Sequence, residues 1–135
     1  MKRTLTFLGE ACRMANVRLE VRAFLAESGF EEHRAELLVL ALDEACTNII
    51  RHAHRGKTLP VRIQITRLRD RVRFVLRDSG TPCDPTQIQG RPLDEIRPGG
   101  LGVHIIRQVF DHVEYTPLAR GTKLTLEKRL APEAG

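Results

Sequence analysis

Between Glu31 and His54 apolar residues recur at three- and four-residue spacings, no proline or glycine interrupts them, and Gly56 follows. This pattern predicts one long amphipathic helix, and a glycine just past its end is a usual stop. At about 100° per residue, Leu37, Ala41 and Ala45 share a patch of its surface. Glu44, Asn48 and His52 fall in the same arc, because their spacing is i, i+4, i+8. A carboxylate, an amide and an imidazole therefore interrupt an apolar face. A carboxylate buried without a partner costs several kcal/mol or takes up a proton, so the fold must supply either solvent or a partner here. Two arrangements do so. In one the helix rolls until the column lies at a solvated rim. In the other the column is the floor of a site, with Glu44 as a base and Asn48 lending an oxygen to a hard cation. Mg²⁺ takes a few protein oxygens, waters and substrate phosphates.

The rest of the chain indicates what packs against this helix. Thr4–Leu8 reads as a first strand. A first helix follows from about Glu10 to Glu27, with Ala11, Met14, Val17, Val21, Phe24 and Leu25 at helical spacings. After the long helix come two strands of period two. Val61, Ile63 and Ile65 form one face of the first, and Val72, Phe74 and Leu76 one face of the second, with a turn at Arg69–Arg71. Residues 78–100 hold four prolines and Gly80, Gly90, Gly99 and Gly100; a loop this long in a compact domain is a lid or a linker. A third helix starts near Leu101, with Val103, Ile106, Val109 and Phe110 on one side. Strands at His112–Thr116 and Thr122–Leu130 close the domain, with Gly121 in their turn. The order βααββ-lid-αββ predicts an α/β two-layer sandwich, helices covering one face of a mixed sheet. Residues 1–130 make one domain, and 131–135 a tail expected to fray.

Composition removes several classes of function. A chain of 135 residues, 41% hydrophobic and 29% charged, suits one soluble domain that folds without disulfides or structural metal. No apolar run approaches the roughly 20 residues of a membrane span, and the basic N-terminus lacks the apolar run of a signal peptide. The expected location is the cytosol. Cys12, Cys46 and Cys83 have no metal-ligand spacing and read as reduced thiols. His52 and His54, two residues apart on a helix, face different directions and make a poor zinc site. The net charge is +5, but the basic residues are dispersed and aromatics are only 4%. Neither feature favours direct nucleic-acid binding.

Two glycine-bearing segments flank the lid. Asp78-Ser79-Gly80 ends a strand. Its carboxylate can accept from an exocyclic amine of a base, and its glycine lets a ring approach the backbone. The same residues also suit a plain turn. Gly99-Gly100-Leu101-Gly102 precedes the third helix, where backbone N–H groups and the helix N-terminus favour an anion. Two familiar phosphate loops are excluded. Ile105 stands where a dinucleotide fingerprint needs its third glycine, and Arg51 stands where a P-loop ending at Gly56-Lys57-Thr58 needs its first.

Taken together, these segments resemble one superfamily. Glu44-Ala-Cys-Thr-Asn48-Ile-Ile-Arg-His52 resembles the N-box of the ATPases of gyrase, heat-shock chaperones, histidine kinases and mismatch repair. Asp78-Ser79-Gly80 resembles the first glycine box, Gly99-Gly100-Leu101-Gly102-Val103 the second, and Gly121-Thr122 the threonine that closes the adenine pocket. The wording of the N-box and the compact length are most similar to stand-alone anti-sigma-factor serine kinases. The resemblance covers nearly the whole chain.

It implies a Bergerat-type sandwich with ATP and Mg²⁺ between helices and lid. Glu44 would be the general base toward a serine or threonine hydroxyl, and Asn48 would hold Mg²⁺. Asp78 would accept from the adenine amino group, with Gly80 beside it. Gly100 and Gly102 would meet phosphates through their backbone, flanked by Leu101 and Val103. Thr122 would reach the adenine. His52 belongs to the N-box, and Arg97 in the lid is a phosphate-ligand candidate outside any motif. The implied substrate is a STAS-type anti-sigma-factor antagonist. A sigma factor is a further implied partner, and family kinases are commonly homodimers. The other reading is a non-catalytic module that binds a regulator under the control of ATP.

Overall fold

The computed structural model describes residues 1–53, 57–80 and 100–130. The expected lid, Arg97, the end of the long helix at His54–Gly56 and the tail all lie outside the described residues, as does Cys83.

The strands are β1 (Lys2–Leu8), β2 (Pro60–Arg67), β3 (Arg71–Asp78), β4 (His112–Pro117) and β5 (Thr122–Arg129). The helices are α1 (Met14–Glu27), α2 (Glu32–Asn48) and α3 (Gly100–Val109). A 3₁₀ turn, Ala11–Arg13, leads into α1, so the expected helix from Glu10 begins as a tighter turn. Ser28 ends α1 by returning its hydroxyl to the Phe24 carbonyl at 2.7 Å, and Gly29 follows at φ +95°. Only glycine adopts that backbone at no steric cost. At the start of α2 the Glu31 carboxylate accepts from the His33 N–H at 2.8 Å, as a capping side chain does.

Among the described residues the strands form one sheet in the order β1-β2-β3-β5-β4, antiparallel at every pairing. The helix-plus-sheet class is as expected, but the sheet is not mixed. The crossover through α3 does set β4 parallel to β3. The β4–β5 hairpin then folds β5 back between them, so the two parallel strands never touch.

Alternation places Val61, Ile63, Ile65, Val72, Phe74 and Leu76 wholly inside, as the sequence pattern predicts. Leu124 and Leu126 extend this face on β5. Val17, Val21, Phe24 and Leu25 of α1, Leu38 and Leu42 of α2, and Ile106 of α3 pack onto it. Phe110 meets Phe74 edge to face, with centroids 5.9 Å apart. Such a pair adds roughly 0.5–1.5 kcal/mol beyond area burial. Arg18 reaches Asp43 at 2.9 Å and Arg22 reaches Glu36 at 2.7 Å across the α1–α2 seam, and the buried apolar stripes set the roll of α1 against α2.

Candidate active site

That roll decides where the polar column goes. The buried stripe of α2 is Ala35, Leu38, Val39, Ala41, Leu42, Ala45 and Cys46. Leu37, expected on this face, is instead 41% exposed, because the stripe centres on Leu38 and Leu42. Glu44 and Asn48 flank it and are half-buried. They therefore stand at the border between core and solvent, between the two arrangements the sequence left open. The α-helix ends at Asn48, and Ile49–Ala53 is a single π turn. Such a turn holds more residues than an α turn and recurs at functional sites. The i, i+4 relation that set His52 above Asn48 does not continue through it, and the His52 side chain lies outside the described residues.

The Glu44 carboxylate makes no hydrogen bond or ion pair among the described residues. One turn on, the Asn48 Nδ2 atom is buried and has no hydrogen-bond partner among the described residues. A buried amide group left so costs about 1–3 kcal/mol unless a ligand or water meets it. Turning the amide over by half a rotation presents its oxygen at that point. The donor set therefore fits a hard cation such as Mg²⁺ at Asn48, beside a carboxylate that no neighbour engages.

The sheet supplies the opposite wall. Asp78 ends β3 and Thr122 begins β5, one step beyond the Arg77–Lys123 pair, and both are buried on the side of the sheet that faces the helices. Asp78 Oδ1 accepts from the Gly80 N–H at 2.8 Å. The plain-turn reading of Asp-Ser-Gly is thus correct, and it fixes the carboxylate rather than competing with a site role. Gly121 precedes Thr122 at φ +78°, and a Cβ on it would overlap the Asp78 carbonyl and come within 2.9 Å of Ser79 Cα. Only a glycine lets the β4–β5 turn close this tightly on the Asp78 backbone. The sequence marks Gly121 as a turn residue; the close approach has no one-dimensional signal.

Gly100, Leu101 and Gly102 form the first turn of α3 rather than a loop before it, with Val103 next. The first N–H groups of a helix have no intrahelical partner, and the macrodipole favours an anion there. α3 packs against α2, which brings this N-terminal region to the α2 side of the sheet. The side chains of residues 100–104 lie outside the described residues. An open cleft of about 320 Å³, lined by Met14, Arg18, Asp43, Thr47, Ile50 and Arg51 among others, is on the α1 side of α2 and includes neither Glu44 nor Asn48. Cys46 is sealed in the core. Burial first, and the Asp43 carboxylate second, push its thiol up to about 12, which leaves it inert at neutral pH.

Residues 8–128 match the histidine kinase-like ATPase domain family. Over 109 residues the chain is 28% identical to the serine-protein kinase RsbW of Bacillus pumilus, spanning 73% of this chain and 67% of that protein. Over 102 residues it is 32% identical to the serine/threonine-protein kinase BtrW of Bordetella bronchiseptica, 72% of each. Among solved structures, the RsbU and RsbW domains of a Mycobacterium tuberculosis protein superpose with a TM-score of 0.71 at 19% identity, over 96% of this chain and 32% of that one. A histidine kinase domain from Erythrobacter litoralis gives 0.59 at 15% identity, over 88% and 60%. At those identities the superpositions establish the fold, and the chain spans less than two thirds of either solved chain.

Proposed function

The chain belongs to the histidine kinase-like ATPase domain family, and from that premise we propose that it is an ATP-dependent serine/threonine protein kinase of anti-sigma-factor type. The observation that carries this reading is the pair on α2: a carboxylate with no hydrogen bond or ion pair among the described residues, one turn from a buried amide nitrogen that has no partner among them. A protein that only bound nucleotide would need the amide but not the carboxylate. Kinship with serine and serine/threonine kinases supports the same activity.

In this reading bound ATP·Mg²⁺ supplies the phosphoryl group and neutralises its charge, so the protein contributes position and electrostatics. Asn48 turns its amide oxygen to the metal. Asp78, held by Gly80, accepts from the adenine amine, and Thr122 closes that pocket from β5. The N-terminal amides of α3 at Gly100–Gly102 face the phosphates. Glu44 accepts the proton of the incoming serine or threonine hydroxyl as its oxygen becomes nucleophilic. The substrate is a small STAS-type antagonist, and a sigma factor is the second partner. Incubation with radiolabelled ATP and each candidate antagonist encoded beside this gene is the direct test. Tight partner binding that depends on nucleotide, with no label transferred, would instead establish an ATP-gated binding module.

Two outcomes bear on the nucleotide alone. Saturating ATP and Mg²⁺ raise the melting temperature; at about 100 times Kd the gain is roughly 2.7 kcal/mol. No shift, together with no heat of binding by calorimetry, would remove the reading at its base. Asp78→Asn keeps the Oδ1 that receives the Gly80 N–H, so it folds, but its amide NH₂ opposes the adenine amine. Nucleotide affinity falls while the unliganded melting temperature holds. Normal ATP affinity in this variant would move the adenine elsewhere.

A further inference from the structure

The sheet face turned away from the helices carries an arrangement that nucleotide chemistry does not use. Register sets its side chains in transverse rows. At the end next to the site the row is Thr6, Arg62, Arg77, Lys123 and Thr116. Arg62 stands directly opposite Arg77, and Arg77 directly opposite Lys123. Three cations therefore lie side by side on adjacent strands, about 4.8 Å apart from strand to strand. None of the three has an ion pair or hydrogen bond among the described residues. Like charges directly opposite one another destabilise a sheet.

The other end of the same face is treated differently. There Glu127 receives Arg73 at 2.6 Å and Arg71 at 3.4 Å, and Arg71 also approaches Asp70 at 3.8 Å. On this face the chain thus pairs Arg71 and Arg73 at the far end, where Lys2 stands as a single exposed cation, and leaves three in line at the near end. A fold alone gains nothing from that repulsion; an anionic partner removes it.

We propose that the Arg62–Arg77–Lys123 row is a docking surface for the acidic face of a partner protein. Charge complementarity identifies the occupant, and the rest of the face narrows it. Its middle row is Thr4, Gln64, Val75, Thr125 and Glu114, the last turned to His112 at 3.2 Å, and among the described residues it bears no aromatic ring on which a nucleic-acid base could stack. It has no apolar wedge for a lipid surface beyond the corner residue Leu8. A second copy docked face to face would set cations against cations. The position couples this surface to the site, because Arg77 and Lys123 are the chain neighbours of Asp78 and Thr122. One pair of strands bears the partner on one face and the proposed nucleotide residues on the other. The charge argument stands apart from the kinase reading.

The test uses the full chain and short poly-L-glutamate as probe, with oligo-dT and phosphatidylcholine–phosphatidylserine vesicles alongside. One variant removes the row through Arg62→Gln, Arg77→Gln and Lys123→Gln. A control removes the same charge away from this face through Arg13→Gln, Arg22→Gln and Arg69→Gln. The row variant loses poly-glutamate affinity by roughly tenfold or more at low salt, the scale of three exposed ion pairs, and the control loses far less. Arg62→Lys with Arg77→Lys, which keeps the charge, retains binding. Equal loss in both triple variants would reduce the effect to net charge and overturn the proposal. Tighter binding of oligo-dT or vesicles through the same row would overturn it in favour of that partner class. Each variant is also melted with and without ATP and Mg²⁺, which checks its fold. If the wild type shows no ATP response, the nucleotide reading fails and the docking result is unaffected.

Discussion

Glu44→Gln lowers phosphoryl transfer to the protein substrate by roughly 10²–10⁴-fold, the range of a lost general base, and leaves ATP affinity almost unchanged. Glutamine keeps the size of the side chain and removes its basicity. The fold tolerates the change, since Glu44 is half-buried and engages no neighbour among the described residues. Asn48→Ala behaves differently, because it deletes the oxygen proposed to face the metal and so weakens both nucleotide binding and transfer. The split between the two variants is the informative measurement: single-turnover transfer for the rate and calorimetry for the affinity. Undiminished transfer by Glu44→Gln would remove the base role from this residue. A fall in ATP affinity as large as the fall in rate would assign Glu44 to binding instead.

Gly121→Ala destabilises the domain by about 2–5 kcal/mol, combining the left-handed backbone penalty of a non-glycine residue with overpacking. The overlap is with backbone at Asp78 and Ser79, which cannot swing aside as a flexible side chain would. The Asp78 carboxylate shifts with its main chain, so nucleotide affinity falls too. Gly29→Ala is the internal control. Its φ is +95°, but nothing lies within 4 Å of the added carbon. That variant costs only the backbone term, about 1–2 kcal/mol. Denaturant titration of both variants gives the comparison. If Gly121→Ala is no less stable than Gly29→Ala, the close approach of the β4–β5 turn to Asp78 is absent in solution.

Much of this protein is legible along the chain because its cause is local. Period two in Val61–Ile65 and Val72–Leu76 fixed both strands and their inner faces, since alternate side chains of a strand must part to opposite sides. The three-and-four spacing of α1 and α2 fixed two helices; Ser28-Gly29 marked the end of α1, whereas the helix expected to His54 is α only as far as Asn48. The ordered set of Glu44, Asn48, Asp78, Gly80 and the 99–102 glycines pointed to the family, because it resembles that family's boxes in their order along the chain.

What the sequence left open depends on contacts between distant elements. The roll of α2, set by its apolar packing on α1, put Leu37 outside and Glu44 and Asn48 at the border. Helical periodicity alone gives the arc but not its origin. The π turn after Asn48 is a change of pitch that no residue in Ile49–Ala53 announces. The sheet is antiparallel because β5 inserts between β3 and β4, which only the return of the hairpin decides. The same return brings Gly121 onto Asp78 and lines Lys123 up with Arg77 and Arg62. In sequence those three cations are scattered through alternating segments; register alone makes them a row.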